Sequence, residues 1–175
     1  MVSPASPSAP TVVPERQALD PKYTWDLASI FPDWPAWEAA FADLDAGIEA
    51  YKKYEGTLGQ GPAQLLRALK DRDAIAQLSY RVWYYPALQY DQDQRNNTIN
   101  AKRQRVQLLF AKWQQAMSWF QPELLKLPLA TVREWLAASA ELAVYRFAVE
   151  EVFRLQAHVL NEQGEKLLSL SGRLG

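Results

Sequence analysis

Beyond Asp20, apolar side chains recur three and four residues apart almost without interruption, a period that suits one face of a helix and no strand. Trp37, Phe41, Leu44, Ile48 and Tyr51 form the first stripe. Asp33 is placed to cap it, and Pro35 falls in its first turn, where the missing amide donor costs nothing. Gly56 supplies a stop. Gly61 and Pro62 open a second segment in which Leu65, Leu66 and Leu69 share a face. Ile75, Leu78, Val82 and Tyr85 carry a longer one, expected to bend or end near Pro86. Ile99, Val106, Phe110, Trp113, Met117 and Phe120 then make a stripe of about six turns that stops at Pro122. A short helix is expected over 132–136, and another through Leu142, Tyr145, Val149, Val152 and Gln156. A last one, capped by Asn161, runs through Leu167, Leu168 and Leu170. Strand alternation and Asn-Gly hairpin signals are absent, as is any fixed-period repeat. The expected fold is all-α, a lobe of six to eight helices.

Residues 1–21 break the pattern. They hold five of the eleven prolines (Pro4, Pro7, Pro10, Pro14 and Pro21) among Ser, Ala, Thr and Val. Fixed φ angles and lost donors suit neither helix nor central strand, so a disordered, partly polyproline II tail is expected. Two P-x-x-P matches, from Pro4 to Pro7 and from Pro7 to Pro10, also fit a docking ligand; such matches are common by chance. No basic stretch leads into a continuous apolar run, so the tail does not read as a secretory signal. Nor does any run of 18 or more apolar residues mark a membrane span.

Composition removes several chemistries. There is no cysteine, hence no disulfide framework, thiol nucleophile or thiolate metal site, and one histidine cannot build a multi-histidine zinc cage. Nineteen Lys and Arg against twenty Asp and Glu leave a net charge of -1, which gives no general electrostatic case for nucleic acid or an anionic membrane. His158, the sole histidine, is followed by Val159 where H-E-x-x-H needs Glu, and Glu162 stands where that motif needs His, so an inter-helix structural role is favoured. Asp91 with Asp93, and Glu150 with Glu151, are close acidic pairs that could do acid–base work. Neighbours one or two apart on a helix point in different directions, so structural roles are favoured there too. Lys102, Arg103 and Arg105 are read as a solvated helix face. The run Tyr80, Arg81, Val82, Trp83, Tyr84, Tyr85, with Tyr90 nearby, is the densest aromatic patch. Successive aromatics cannot all face one core, so Trp83, Tyr84 and Tyr90 become candidates for a binding or interdomain surface.

Three segments carry a family resemblance. Tyr23, Thr24, Trp25, Asp26, Leu27, Ala28, Ser29, Ile30 and Phe31, followed by Trp37 and Glu38, resemble the opening of oligoendopeptidase F, a zinc oligopeptidase of the thimet-oligopeptidase (M3) group. Phe120, Gln121, Pro122, Glu123, Leu124 and Leu125, then Leu127 and Pro128, resemble its F-x-P-E-L-L segment. Residues 145–154, with His158, Val159, Leu160 and Asn161 and then Glu165, Lys166, Leu167 and Leu168, resemble a third. The resemblance implies a helical N-terminal lobe over 22–175, incomplete at its C-terminus, that shapes a channel admitting short peptides and excluding folded proteins. It also implies zinc held by an H-E-x-x-H helix and a later Glu in the C-terminal catalytic part. That part would be the lobe's partner, short peptides the parent protein's substrates, and the cytoplasm its compartment. No catalytic residue and no metal ligand carries over to this chain, which alone is expected to be inactive and to bind no zinc. Two other readings stand beside it. One is a stand-alone helical domain that binds a protein or peptide through its aromatic surface; the other is a small helical enzyme using Arg, Lys and carboxylates without metal.

Overall fold

A computed structural model describes residues 19–156. The tail up to residue 18, His158 and the helix expected after Asn161 lie outside them. Among the described residues there are seven α-helices and no strand: α1 (Trp34–Tyr51), α2 (Pro62–Gln92), α3 (Asn97–Met117), α4 (Phe120–Leu124), α5 (Leu129–Ala138), α6 (Ala140–Ala143) and α7 (Arg146–Gln156). No helix among them is long and apolar enough to cross a membrane.

The local rules act as the sequence implies at the first helix. The Asp33 carboxylate accepts from the Ala36 amide at 2.8 Å, with Pro35 in the first turn. Asn96 caps α3 in the same way, accepting from Thr98 and Ile99. Gly61, at φ 127°, takes a backbone conformation that side chains rarely adopt and turns the chain into α2.

α2 departs from the sequence reading. The two segments expected on either side of residue 70 are one helix of 31 residues, and Pro86 lies buried inside it. Proline at 86 removes the amide that would have bonded the Val82 carbonyl. That carbonyl instead accepts the indole N–H of Trp37, at 2.8 Å, from the fully buried side chain of α1. A donor 45 residues away thus supplies what the helix lacks, and the helix continues.

α1, α2 and α3 pack on one another, and α2 also touches the 3-10 turns Leu27–Ser29 and Leu58–Gln60 and the helices α5 and α6. The core runs through Trp37, Leu44, Ile48 and Tyr51 of α1, Leu65, Leu69 and Val82 of α2, Phe120 and Leu124 of α4, and Val132, Leu136 and Leu142 beyond. On α3 the fully packed face differs from the expected stripe. Val106, Leu109 and Ala116 are buried, whereas Phe110, Trp113 and Met117 are only half-buried. The stripe through Phe120 is also broken: α3 ends at Met117, and Pro122 sits in the first turn of a separate short helix. The helix expected through Gln156 is likewise divided into α6 and α7.

Ion pairs tie distant parts of this frame. Glu38 of α1 receives both terminal nitrogens of Arg105, at 2.8 and 2.9 Å, and the Lys102 ammonium as well. Lys102, 17% exposed, lies over the rings of Trp34 and Trp37. The basic cluster on α3 is therefore an interhelix clamp rather than a solvated face. The guanidinium of Arg105, with Lys102 behind it, holds the Glu38 carboxyl at about 2, against 4.5 ordinarily.

Candidate functional site

The aromatic run on α2 divides as a helix requires. Val82 and Tyr85 turn inward, and Tyr80, Trp83 and Tyr84 turn outward. Tyr80 is 61% exposed and stacks on Tyr84 with centroids 6.2 Å apart, while Trp83 meets Tyr84 at 4.6 Å. A four-residue link joins α2 to α3, so the two lie antiparallel and a groove runs between them. Ala76, Ser79, Tyr80 and Trp83 form one wall, and Phe110, Trp113 and Gln114 the other, around about 330 Å³. The floor is firm: Trp113 packs against the buried ring of Tyr51 at 5.4 Å, and the Tyr51 hydroxyl donates to the Ala68 carbonyl at 3.1 Å. Burial raises the Tyr51 phenol well above its ordinary pKa, so it stays neutral as a donor.

Of the three residues singled out from the sequence, the structure brings Trp83 and Tyr84 together. Tyr90 lies two turns beyond Trp83, half-buried beneath the Arg103 guanidinium at 4.2 Å, and does not line the groove. The second wall is not legible as a site in the sequence, because Phe110 and Trp113 follow the same period as the core positions of α3. Their only distinguishing mark in sequence is that the α3 stripe is too wide for one core face.

The acidic pairs do not converge on a site. Asp93 pairs with Arg95 at 2.8 Å, Glu150 with Arg133 at 3.0 Å, and Glu151 with Arg154 one turn on. Among the described residues, no three His, Cys, Asp or Glu side chains gather closely enough to hold a metal ion.

Several of the residues that carried the resemblance hold structure, although Tyr23, Trp25 and Phe147 are exposed. Glu123 reaches from α4 to accept the amides of Gly56 and Leu58, each at 2.7 Å, and so fixes the link between α1 and α2. The Tyr145 hydroxyl donates to Asp73 of α2 at 2.7 Å; burial and that carboxylate push its pKa up to about 12. Asp26 caps the turn Leu27–Ser29, whose Leu27 is buried along with Phe31.

Comparison with known proteins agrees with those residues. A family model described as Oligopeptidase F matches residues 123–175. Oligopeptidase PepF of Bacillus subtilis is 28% identical over 157 residues, 90% of this chain but 23% of that protein. A crystal structure of oligoendopeptidase-F from Enterococcus faecium aligns with TM-score 0.65 and 29% identity, over 81% of this chain and 28% of that one. A putative peptidase from Chlamydophila abortus aligns with TM-score 0.71 and 26% identity, over 89% and 26%. The chain therefore spans about a quarter of the relatives it matches. In sequence and in fold, it is the N-terminal domain of the oligoendopeptidase F family that this protein matches.

Proposed function

We propose that this chain is the non-catalytic N-terminal lobe of a zinc-dependent oligoendopeptidase that hydrolyses short peptides. Its helices shape the substrate channel and limit the size of what enters. The observation that carries this is the pairing of coverages: nine-tenths of this chain aligns with a quarter of a peptidase. The residues present do not fit a catalytic zinc. With no cysteine and one histidine, the sequence has no H-E-x-x-H and no second imidazole to complete a site, so the metal ligands belong to the remaining part of the protein. We place that protein in the cytoplasm, the compartment the resemblance suggests. The lobe's partner is then the catalytic part of its own polypeptide, and the aromatic groove is a surface turned toward peptide or toward that part.

The test begins with the source gene beyond codon 175. An open frame that reaches H-E-x-x-H supports the reading, and a stop codon there overturns it. The protein encoded by the longer frame should cleave a quenched-fluorescent nonapeptide and lose that activity to a chelator, while the 175-residue chain alone should release no product. Turnover by the isolated chain would also overturn the reading. The exposed aromatic groove favours a second reading, a stand-alone helical domain that binds a protein or peptide without chemistry, and a stop codon would leave that one standing.

A further inference from the structure

The groove between α2 and α3 has no charged side chain in its walls. Over residues 74–90 of α2 and 106–117 of α3 the charged side chains are Arg81 and Lys112, and both are turned to other partners. Arg81 donates to the Ile30 carbonyl at 2.8 Å and lies over the Phe31 ring, while Lys112 bonds Asp45 and Glu49 of α1. What remains is a set of aromatic rings, with the Trp83 indole and the Gln114 amide as hydrogen-bond donors. Uncharged aromatic walls with a few donors suit a polyproline II segment. Such a helix offers flat proline rings, and its carbonyls have no internal hydrogen bond.

We propose that this groove is the docking site of the chain's own proline-rich tail, the segment from Pro4 to Pro10. Residues 1–14 contain no charged side chain, the first being Glu15, so neither surface loses a hydrated charge on contact. Three residues per turn set Pro4, Pro7 and Pro10 on one edge of a polyproline II helix, with Ala and Ser on the other two. The lengths agree. From Ala76 to Trp83 the α2 wall runs about 10 Å at 1.5 Å per residue, and one P-x-x-P step at 3.1 Å per residue covers about 9 Å. The reach is sufficient too. Leu27–Ser29 packs on α2 and Ile30 meets Arg81, so the chain comes to α2 two residues from Trp83. Residues 15–20 lie between Pro14 and the turn Pro21–Tyr23; extended, they span about 20 Å, against a helix width of about 10–12 Å. Such a tether holds the tail at an effective concentration of the order of millimolar, so contacts too weak to retain a free peptide are enough. The docking uses residues of this chain alone and does not depend on a catalytic part.

Photo-crosslinking in the 175-residue chain tests the contact. Tyr80→p-benzoylphenylalanine puts the reactive ketone in the groove wall, and Leu108→p-benzoylphenylalanine puts it, as a reference, at an exposed site of α3 outside the groove. After irradiation and trypsin digestion, cross-links to the peptide ending at Arg16 are quantified by mass spectrometry. The yield from position 80 should exceed that from position 108 at least about 5-fold, since a tethered tail without a site would strike both alike. Pro4→Gly, Pro7→Gly and Pro10→Gly together should bring the position-80 yield down to the reference level, because glycine removes the proline edge and leaves the tether intact. Equal yields from the two positions overturn the proposal, as does a position-80 yield that survives the three glycines. Mixing chains labelled with ¹⁴N and ¹⁵N identifies the copy that supplies the tail. Cross-links within one isotope support the chain's own tail, and mixed-isotope cross-links overturn it in favour of a second copy. The gene frame beyond codon 175 decides the functional reading separately, so either can fail without the other.

Discussion

Proline in the middle of a long helix ordinarily strands a carbonyl, and here a single indole takes it up. Trp37→Phe keeps an aromatic ring in the core but removes the donor, leaving the Val82 carbonyl buried and unpaired. The expected loss is about 1–3 kcal/mol in urea unfolding. In a Pro86→Ala background the restored amide can bond that carbonyl, so the cost of Trp37→Phe should fall; an undiminished cost would show the two residues to be uncoupled. Glu38 offers a pH test. Its folded pKa lies near 2 and its ordinary value at 4.5, so the clamp with Arg105 and Lys102 stabilises the fold above pH 4.5. That contribution is lost as pH falls toward 2. Because the carboxylate keeps 39% of its exposure, screening reduces its worth to about 1 kcal/mol. Glu38→Gln should flatten the acid limb of the stability curve between those values, and an unchanged limb would count against the clamp.

At the scale of elements, Glu123 shows how one short helix fixes a link it does not belong to. Glu123→Ala removes two charge-assisted bonds, to Gly56 and Leu58, and should destabilise by about 1.5–3 kcal/mol while speeding hydrogen exchange at those two amides. The sequence shows the elements whose causes are local. Asp33, Pro35 and the stripe from Trp37 to Tyr51 announce α1 because cap, first turn and face all lie within one window. α2 cannot be read whole, since the compensation for Pro86 comes from another helix. The break after Met117 is hidden for a different reason: Phe120 keeps the spacing of the α3 stripe, so the period runs on where the helix does not. The clamp reads as surface because its anion, Glu38, lies 64 residues before Lys102 and 67 before Arg105. Of the groove, only the α2 wall is legible, through aromatics too crowded to share one face.

At the scale of the molecule, substitutions at the outward aromatics of α2 should behave differently from those in the core. Tyr84→Ala in the 175-residue chain should change stability by no more than about 0.5 kcal/mol, because an outward ring leaves no cavity. If the chain is the lobe of a longer peptidase, as proposed, Tyr84→Ala in that protein should weaken peptide affinity or lower its melting temperature; no change in either would make the patch ordinary surface. The resemblance is legible from motifs several of whose side chains hold helices and turns together, so those motifs point to a family without pointing to a site. α2 has a mechanical consequence of its own. Thirty-one residues at 1.5 Å make a strut of about 46 Å, in contact with α1 and α3 along its sides and with α5 and α6 as well. A strut of that length is a lever: tilting one end by about 5° carries the other through about 4 Å. By bonding the proline-weakened point to α1, Trp37 stiffens the lever where it would flex.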